Sequence, residues 1–163
     1  MRIGIVVNGC PPEVNGGAEL QAFNLAKELS KNNSVSIFTP SIKESRLELI
    51  NDNLRIHRFK FYNIRYLRIF LSQLFPFLKI LRSEHKNLDI LISYQSNPSG
   101  IMAFFARLLF GLQFIYWVRA EQEYTNFFRK YFTLVCIYFS KFTFVQSEIM
   151  LNQVINRYRF KEN

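Results

Sequence analysis

The stretch that decides the fold runs from Arg2 to Leu29: RIGIVVNGCPPEVNGGAELQAFNLAKEL. Its first part, "RIGIVVN", is a continuous apolar run rich in β-branched residues, the pattern of a strand buried on both faces. In its last part Ala18, Ala22, Leu25, Ala26 and Leu29 recur at spacings of three and four, which predicts a helix from about Gly17 to Lys31 with one apolar face. Between them lies "NGCPPEVNGGAEL", Asn8 to Leu20, with two prolines followed by two adjacent glycines. A plain connection needs only a few residues. This one is longer and specially built, which points to something seated against it.

The same alternation continues outward. "SVSIFTP" reads as a second strand that Pro40 stops. "SIKESRLELIND" reads as a short helix or loop. "LRIHRFKFY" alternates as a third strand, with Leu54, Ile56, Phe59 and Phe61 only roughly in phase. A basic, aromatic helix is expected from about Asn63 to Ser83, kinked or divided at Pro76. "LDILISYQ" is a fourth strand, "NPSG" a turn and "IMAFFARLLFG" a helix. "QFIYWVRAE" is a fifth strand, "FFRKYFTLVCIYFSK" a helix, "FTFVQS" a sixth strand and "EIMLNQVINRYRF" a last helix. Strand and helix in alternation with short links predict an α/β fold: a doubly wound, mostly parallel sheet of about six strands in a three-layer α/β/α arrangement. The expected strand order is 3-2-1-4-5-6, and residues 1–163 read as one domain.

The chain has 163 residues, 49% of them hydrophobic, which is enough for a real core. Its formal charge of +9 points to an anionic partner: nucleic acid, anionic lipid or a phosphorylated small molecule. Cys10 and Cys136 lie far apart, and no Cys/His spacing suggests a metal framework; two reduced thiols in a cytosolic protein are expected. "MRIGIVVNGCPPE" does not read as a signal peptide. The strongest candidate for a membrane span, Ile101 to Val118, is interrupted by Arg107 and Gln113 and by a turn at "FGLQ", so a buried helix followed by a buried strand explains it better.

In such sheets ligands sit outside the carboxyl ends of the strands, where the loop after the first strand lies. Gly16 and Gly17 can take positive φ and admit a ligand close to the backbone. They also open a helix, whose free N–H groups and dipole favour an anion. The stretch is neither GxGxxG nor GxxxxGK[ST], which disfavours an NAD-type site. Two readings of the glycines stand side by side: a ligand loop, or a simple helix-entry turn.

With these parts in order, "MRIGIVVNGCPPEVNGGAELQAFNLAKELSKNNSVSIFTP" resembles the opening of family 4 glycosyltransferases, retaining enzymes of the GT-B fold whose first domain is Rossmann-like. "NLDILISYQSNPSGIMAFFARLLFGLQFIYWVRAEQE" and "FTFVQSEIMLNQVI" resemble later segments of that first domain. The resemblance implies an acceptor-binding half, with Gly16, Gly17 and Glu19 in a loop for the donor's phosphates or the substrate and Glu13, Asn97, Arg119 and Glu123 toward the acceptor; Glu19 also reads as a partner of the helix dipole. A nucleotide-sugar would be the co-substrate, with no cofactor and no metal. Arg119 and Ala120 stand where the family often has His-Gly, so Arg119 and Glu121 are the remaining candidates for a catalytic role. The other reading of Arg119 is a strand-end partner of Glu121 or Glu123; the functional one is preferred because the position faces the cleft in the family. In the family a second domain holds most donor contacts, including two glutamates in E-x7-E spacing. No two glutamates here are so spaced, and a donor-binding domain or subunit is expected to complete the site. His57 and His85 read as plain surface histidines.

From Arg55 to Lys86 the sequence is strongly cationic, with Glu84 its only acid. Basic residues beside bulky apolar ones suit a helix lying on an anionic membrane; an ordinary amphipathic helix packed on the sheet is the favoured reading, since every doubly wound fold needs such helices. Nucleic acid lacks a recognition motif here. The expectation is therefore half of a hexose-transferring enzyme for cell-envelope glycans or lipid-linked acceptors, inactive alone, in the cytoplasm or at the inner face of the membrane. The alternative is a non-catalytic basic module that binds a partner subunit or an anionic membrane.

Overall fold

Strand β1 (Arg2–Val6) forms the centre of a seven-stranded sheet. The remaining strands are β2 (Ser34–Ser41), β3 (Arg46–Asn51), β4 (Leu54–Lys60), β5 (Ile90–Tyr94), β6 (Phe114–Val118) and β7 (Phe142–Val145). The helices are α1 (Gly17–Leu29), α2 (Leu67–Glu84), α3 (Ile101–Phe110), α4 (Phe127–Phe139) and α5 (Glu148–Tyr158). This computed structural model describes residues 1–61, 67–94, 96–118 and 127–158. The sheet order is β3-β4-β2-β1-β5-β6-β7, parallel throughout except for β3. With β3 set aside, this is the expected doubly wound order, and the fold is a Rossmann-like three-layer α/β/α domain.

The two faces of the sheet are packed differently. Ile3, Ile5, Val35, Ile37, Leu54 and Ile56 share one face, where Ala22 and Ala26 bring α1 close to the strands. Val6, Phe38, Phe59, Leu91 and Phe114 share the other, beneath α2 and α3 through Leu74, Phe77, Leu81, Met102 and Ala106. Cys136 of α4 and Val154 of α5 belong to this second cluster. On the α1 side, Trp117 stacks on Tyr94 and meets Phe144, while Phe142 and Phe144 remain 57% and 52% exposed. No described helix is long and apolar enough to cross a membrane. The stretch from Ile101 to Val118 is a helix and a strand, joined where Gly111 takes φ 70° and returns its N–H to the Arg107 carbonyl.

Four local expectations are corrected. The stretch expected as a short helix or loop contains β3, an antiparallel edge strand that raises the count from six to seven. A tight turn through Asp52 and Asn53 joins it to β4, with the Asn53 amide donating to Asn51 Oδ1 at 2.9 Å. Pro40 does not stop β2, which runs on to Ser41. The Phe38 carbonyl accepts from Val7 on the β1 side and the Ser41 carbonyl from Phe61 on the β4 side. By alternation Pro40 faces the β1 side, past the point where β1 has ended, so its missing N–H costs no ladder bond. Pro76 does not divide α2, because burial of Leu74, Phe77 and Leu81 docks the helix on both sides of it. His57 is not a surface residue: it is 7% exposed and stacked on Phe38, and burial lowers its pKa. His85 is half-buried, stacked on Phe110 and hydrogen-bonded through Nδ1 to the Arg82 carbonyl.

Candidate functional site

The crossover from β1 runs over one face of the sheet and that from β5 over the other, so the order of strands switches between them. Ligands of open α/β sheets bind outside the carboxyl ends of the strands at such a switch. Two connections meet there: the loop from Val7 to Gly16, and the π-helical turn Ser96–Gly100. The turn is tied to the end of β5 by Ser99 Oγ, which donates to the Tyr94 carbonyl.

The loop is held from beneath by charge. Pro11 and Pro12, joined by a cis bond, have no N–H to donate, so this part of the backbone offers acceptors only. Arginine is the complementary side chain, with five donors and no acceptor. Arg58 of β4, whose side chain is 0% exposed, donates from Nη1 to the Cys10 carbonyl at 3.2 Å and from Nη2 to the Pro11 carbonyl at 2.5 Å. Its Nε and Nη2 also donate to the two carboxylate oxygens of Glu48 on β3, at 2.8 and 3.3 Å. Arg46 completes the cluster, donating to Glu13 at 3.0 Å, to Glu48 and to Glu44. Burial works to raise the Glu48 pKa, but the hydrogen bonds and charges of Arg58 and Arg46 outweigh it and hold the carboxyl below its usual range. The cluster sets two guanidinium groups against three carboxylates, so it presents no surplus positive charge despite the chain's +9.

Cys10 is buried in the same place, and burial above all pushes its thiol up to about 11, leaving it neutral and inert at physiological pH. The loop also closes on itself. Val14 donates its N–H to the Cys10 carbonyl at 3.3 Å, and a Cβ on Gly9 would lie 2.6 Å from that of Val14. Gly9 is therefore the glycine this loop needs in order to fold.

Gly16 and Gly17 are different. Neither uses the left-handed region: Gly16, the residue before α1, has φ −71° and ψ 158°, and Gly111 is the one described glycine with positive φ. No side chain caps α1. A Cβ on Gly16 would meet only the movable carboxylate of Glu19, and one on Gly17 would meet nothing within 4 Å. Of the expected site residues, Gly16, Gly17 and Glu19 thus come together at the first turn of α1. Glu13 is turned inward to Arg46, with Arg58 Nε 3.9 Å away. The backbone of Asn97 lies in the turn after β5, while its side chain is outside the described part, as are Arg119, Glu121 and Glu123.

Sequence reasoning missed Arg58, Glu48 and Arg46, having taken Arg58 only as one residue of the cationic stretch from Arg55 to Lys86. The signal was present: Leu54, Ile56 and Arg58 alternate along one strand, which places Arg58 on the face of the core.

A search of curated proteins gave no match. Among solved structures the fold is similar to that of UDP-GlcNAc 2-epimerase from Methanocaldococcus jannaschii, with TM-score 0.66 and 14% identity. The similarity covers 97% of this chain and 43% of the epimerase chain, so this chain spans less than half of that protein. Residues 15–163, from just before the glycine pair to the last residue, match the model of Glycosyltransferase Family 4, and the chain belongs to that family.

Proposed function

We propose that this domain is the acceptor-binding half of a retaining glycosyltransferase. In this reading the first turn of α1 approaches the diphosphate of a nucleotide-sugar, and a donor-binding domain or subunit closes the opposite wall. The observation that carries the reading is Gly17. Its backbone is compatible with any residue and a Cβ there would meet open space, so folding gives no reason for its missing side chain. A ligand drawn close to the uncapped N–H groups of α1 does give one. The family membership supplies the reaction class. Chemically, backbone dipoles set beforehand around a leaving diphosphate stabilise the charge that develops on it.

Calorimetric titration of the chain with inorganic pyrophosphate and with UDP tests this. Weak binding is expected, because one wall of the site supplies few contacts. Gly17→Ala should weaken that binding about tenfold without lowering the melting temperature, since alanine suits a helix better than glycine. Equal binding by the variant and the parent, or none by the parent, overturns the reading.

A second reading, peripheral contact with an anionic membrane, rests on α2. Leu71 and Phe75 are exposed on its outer side next to Lys79 and Arg82. A groove there is lined by Lys60, Phe75, Pro76 and Lys79. Flotation with phosphatidylglycerol vesicles at low salt, lost in Phe75→Ser, is the expected outcome. Sedimentation without the vesicles removes this reading.

A further inference from the structure

We propose that Arg58 is the positioning residue of the β1–α1 loop. It does not face a ligand. Its guanidinium is fully buried, and its charge is matched internally by Glu48. What it fixes is the place of two consecutive carbonyls, Cys10 and Pro11, in a backbone segment whose prolines leave few other handles. From Pro11 the chain turns through Glu13, which Arg46 holds, and reaches Gly16 within a few residues. The β3–β4 hairpin therefore sets where the first turn of α1 stands relative to the end of β1. Lysine cannot substitute: a single ammonium cannot span a carboxylate and two carbonyls as the planar fork does. For what the loop binds, the inference rests on the reading given under Proposed function.

The two cysteines provide the test. Both are buried, Cys10 in the loop beside Arg58 and Cys136 on the opposite face of the sheet. In Arg58→Lys, alkylation by N-ethylmaleimide, followed residue by residue by peptide mass spectrometry, should speed up at Cys10 at least tenfold relative to Cys136. Affinity for inorganic pyrophosphate should fall at least fivefold at a temperature where the variant is fully folded. A purely structural arginine predicts something else: both cysteines accelerate together as overall stability falls, and the affinity of the folded fraction is unchanged. That result overturns the proposal. If Arg58→Lys does not fold, Glu48→Gln is read in the same way: a raised Cys10-to-Cys136 ratio supports the proposal and an unchanged ratio overturns it. If the parent chain binds no pyrophosphate, the ligand reading fails on its own, and the labelling ratio still decides whether Arg58 positions the loop.

Discussion

Two arginines tie the ends of the parallel sheet together, one at each end, and they do so with the same chemistry in opposite settings. At the amino end Arg2 of β1 donates from Nε and Nη2 to Asp89 Oδ1, at 3.1 and 2.7 Å, and from Nη1 to the Lys86 carbonyl at 2.9 Å. The Arg2 and Asp89 side chains are 49% and 39% exposed. At the carboxyl end Arg58 makes the same mixture of carboxylate and carbonyl bonds with its side chain out of water altogether. An exposed pair exchanges one set of hydrogen bonds with water for another and is screened by salt. A buried one has already lost its hydration, so removing a partner strands a charge. Similar contact patterns therefore carry different weights, and the heavier one lies under the loop between β1 and α1.

Breaking the heavier end should have the largest effect. Arg58→Ala leaves the Pro11 carbonyl without its donor, the Cys10 carbonyl with Val14 alone and Glu48 with Arg46 alone, and should cost about 3 kcal/mol in urea unfolding, a large share of the stability of an ordinary domain. A loss comparable to that of an exposed pair would erase the contrast. Next is Glu48→Gln, expected to cost about 2 kcal/mol because it removes the charge from a charge-assisted bond. Its signature is also in pH. The folded pKa of Glu48 is depressed, so its contribution is present above the ordinary glutamate range and is lost as pH falls through the folded value. The variant's stability curve should lack that acid step. His57, on the other face of β4, sharpens the assignment. Burial depresses its pKa, so it contributes stability above the ordinary histidine range and loses it as pH falls toward the folded value. His57→Phe should flatten this milder step and leave the Glu48 step in place. The smallest effect belongs to Arg2→Ala: a melting midpoint shifted by no more than about 2–4 °C, and by less still in high salt. A shift as large as that of Arg58→Ala would mean that burial does not separate the two ends.

The alternation of strand and helix and the burial of β1 on both faces were legible because each rests on a local period, whereas the strand order came from the usual order of doubly wound sheets. "RIGIVVN" cannot be a half-exposed strand, and the alanines of α1 fall on one side. What escaped were features set by partners distant in sequence. "RLELIN" alternates as a strand should, yet Leu47 and Leu49 point outward and no apolar run marks it, because it is an edge whose inner face carries Arg46 and Glu48. Pro40 reads as a stop unless one knows that β1 has already ended beside it. Arg58 drew no attention because arginine is usually at the surface; its parity with Leu54 and Ile56 is what shows that it faces inward. The positive φ allowed to Gly16 and Gly17 was an inference from residue type, whereas the structure leaves open space at Gly17 and, among the described glycines, keeps the left-handed turn for Gly111.

The central place of β1 also bears on how the chain is made. Ile3 pairs with Val35 on one side and with Ile90 on the other. A growing polypeptide can add β2 to β1 early, but the second edge of β1 stays open until Ile90–Tyr94 has been synthesised, because no nearer strand fills that position. Pairings of this span slow folding, and an apolar strand with a bare edge is prone to wrong partners meanwhile. Among the described strands β1 is thus the one that waits longest for its second neighbour, and the nascent chain between Phe38 and Ile90 is where a chaperone would have most to shield.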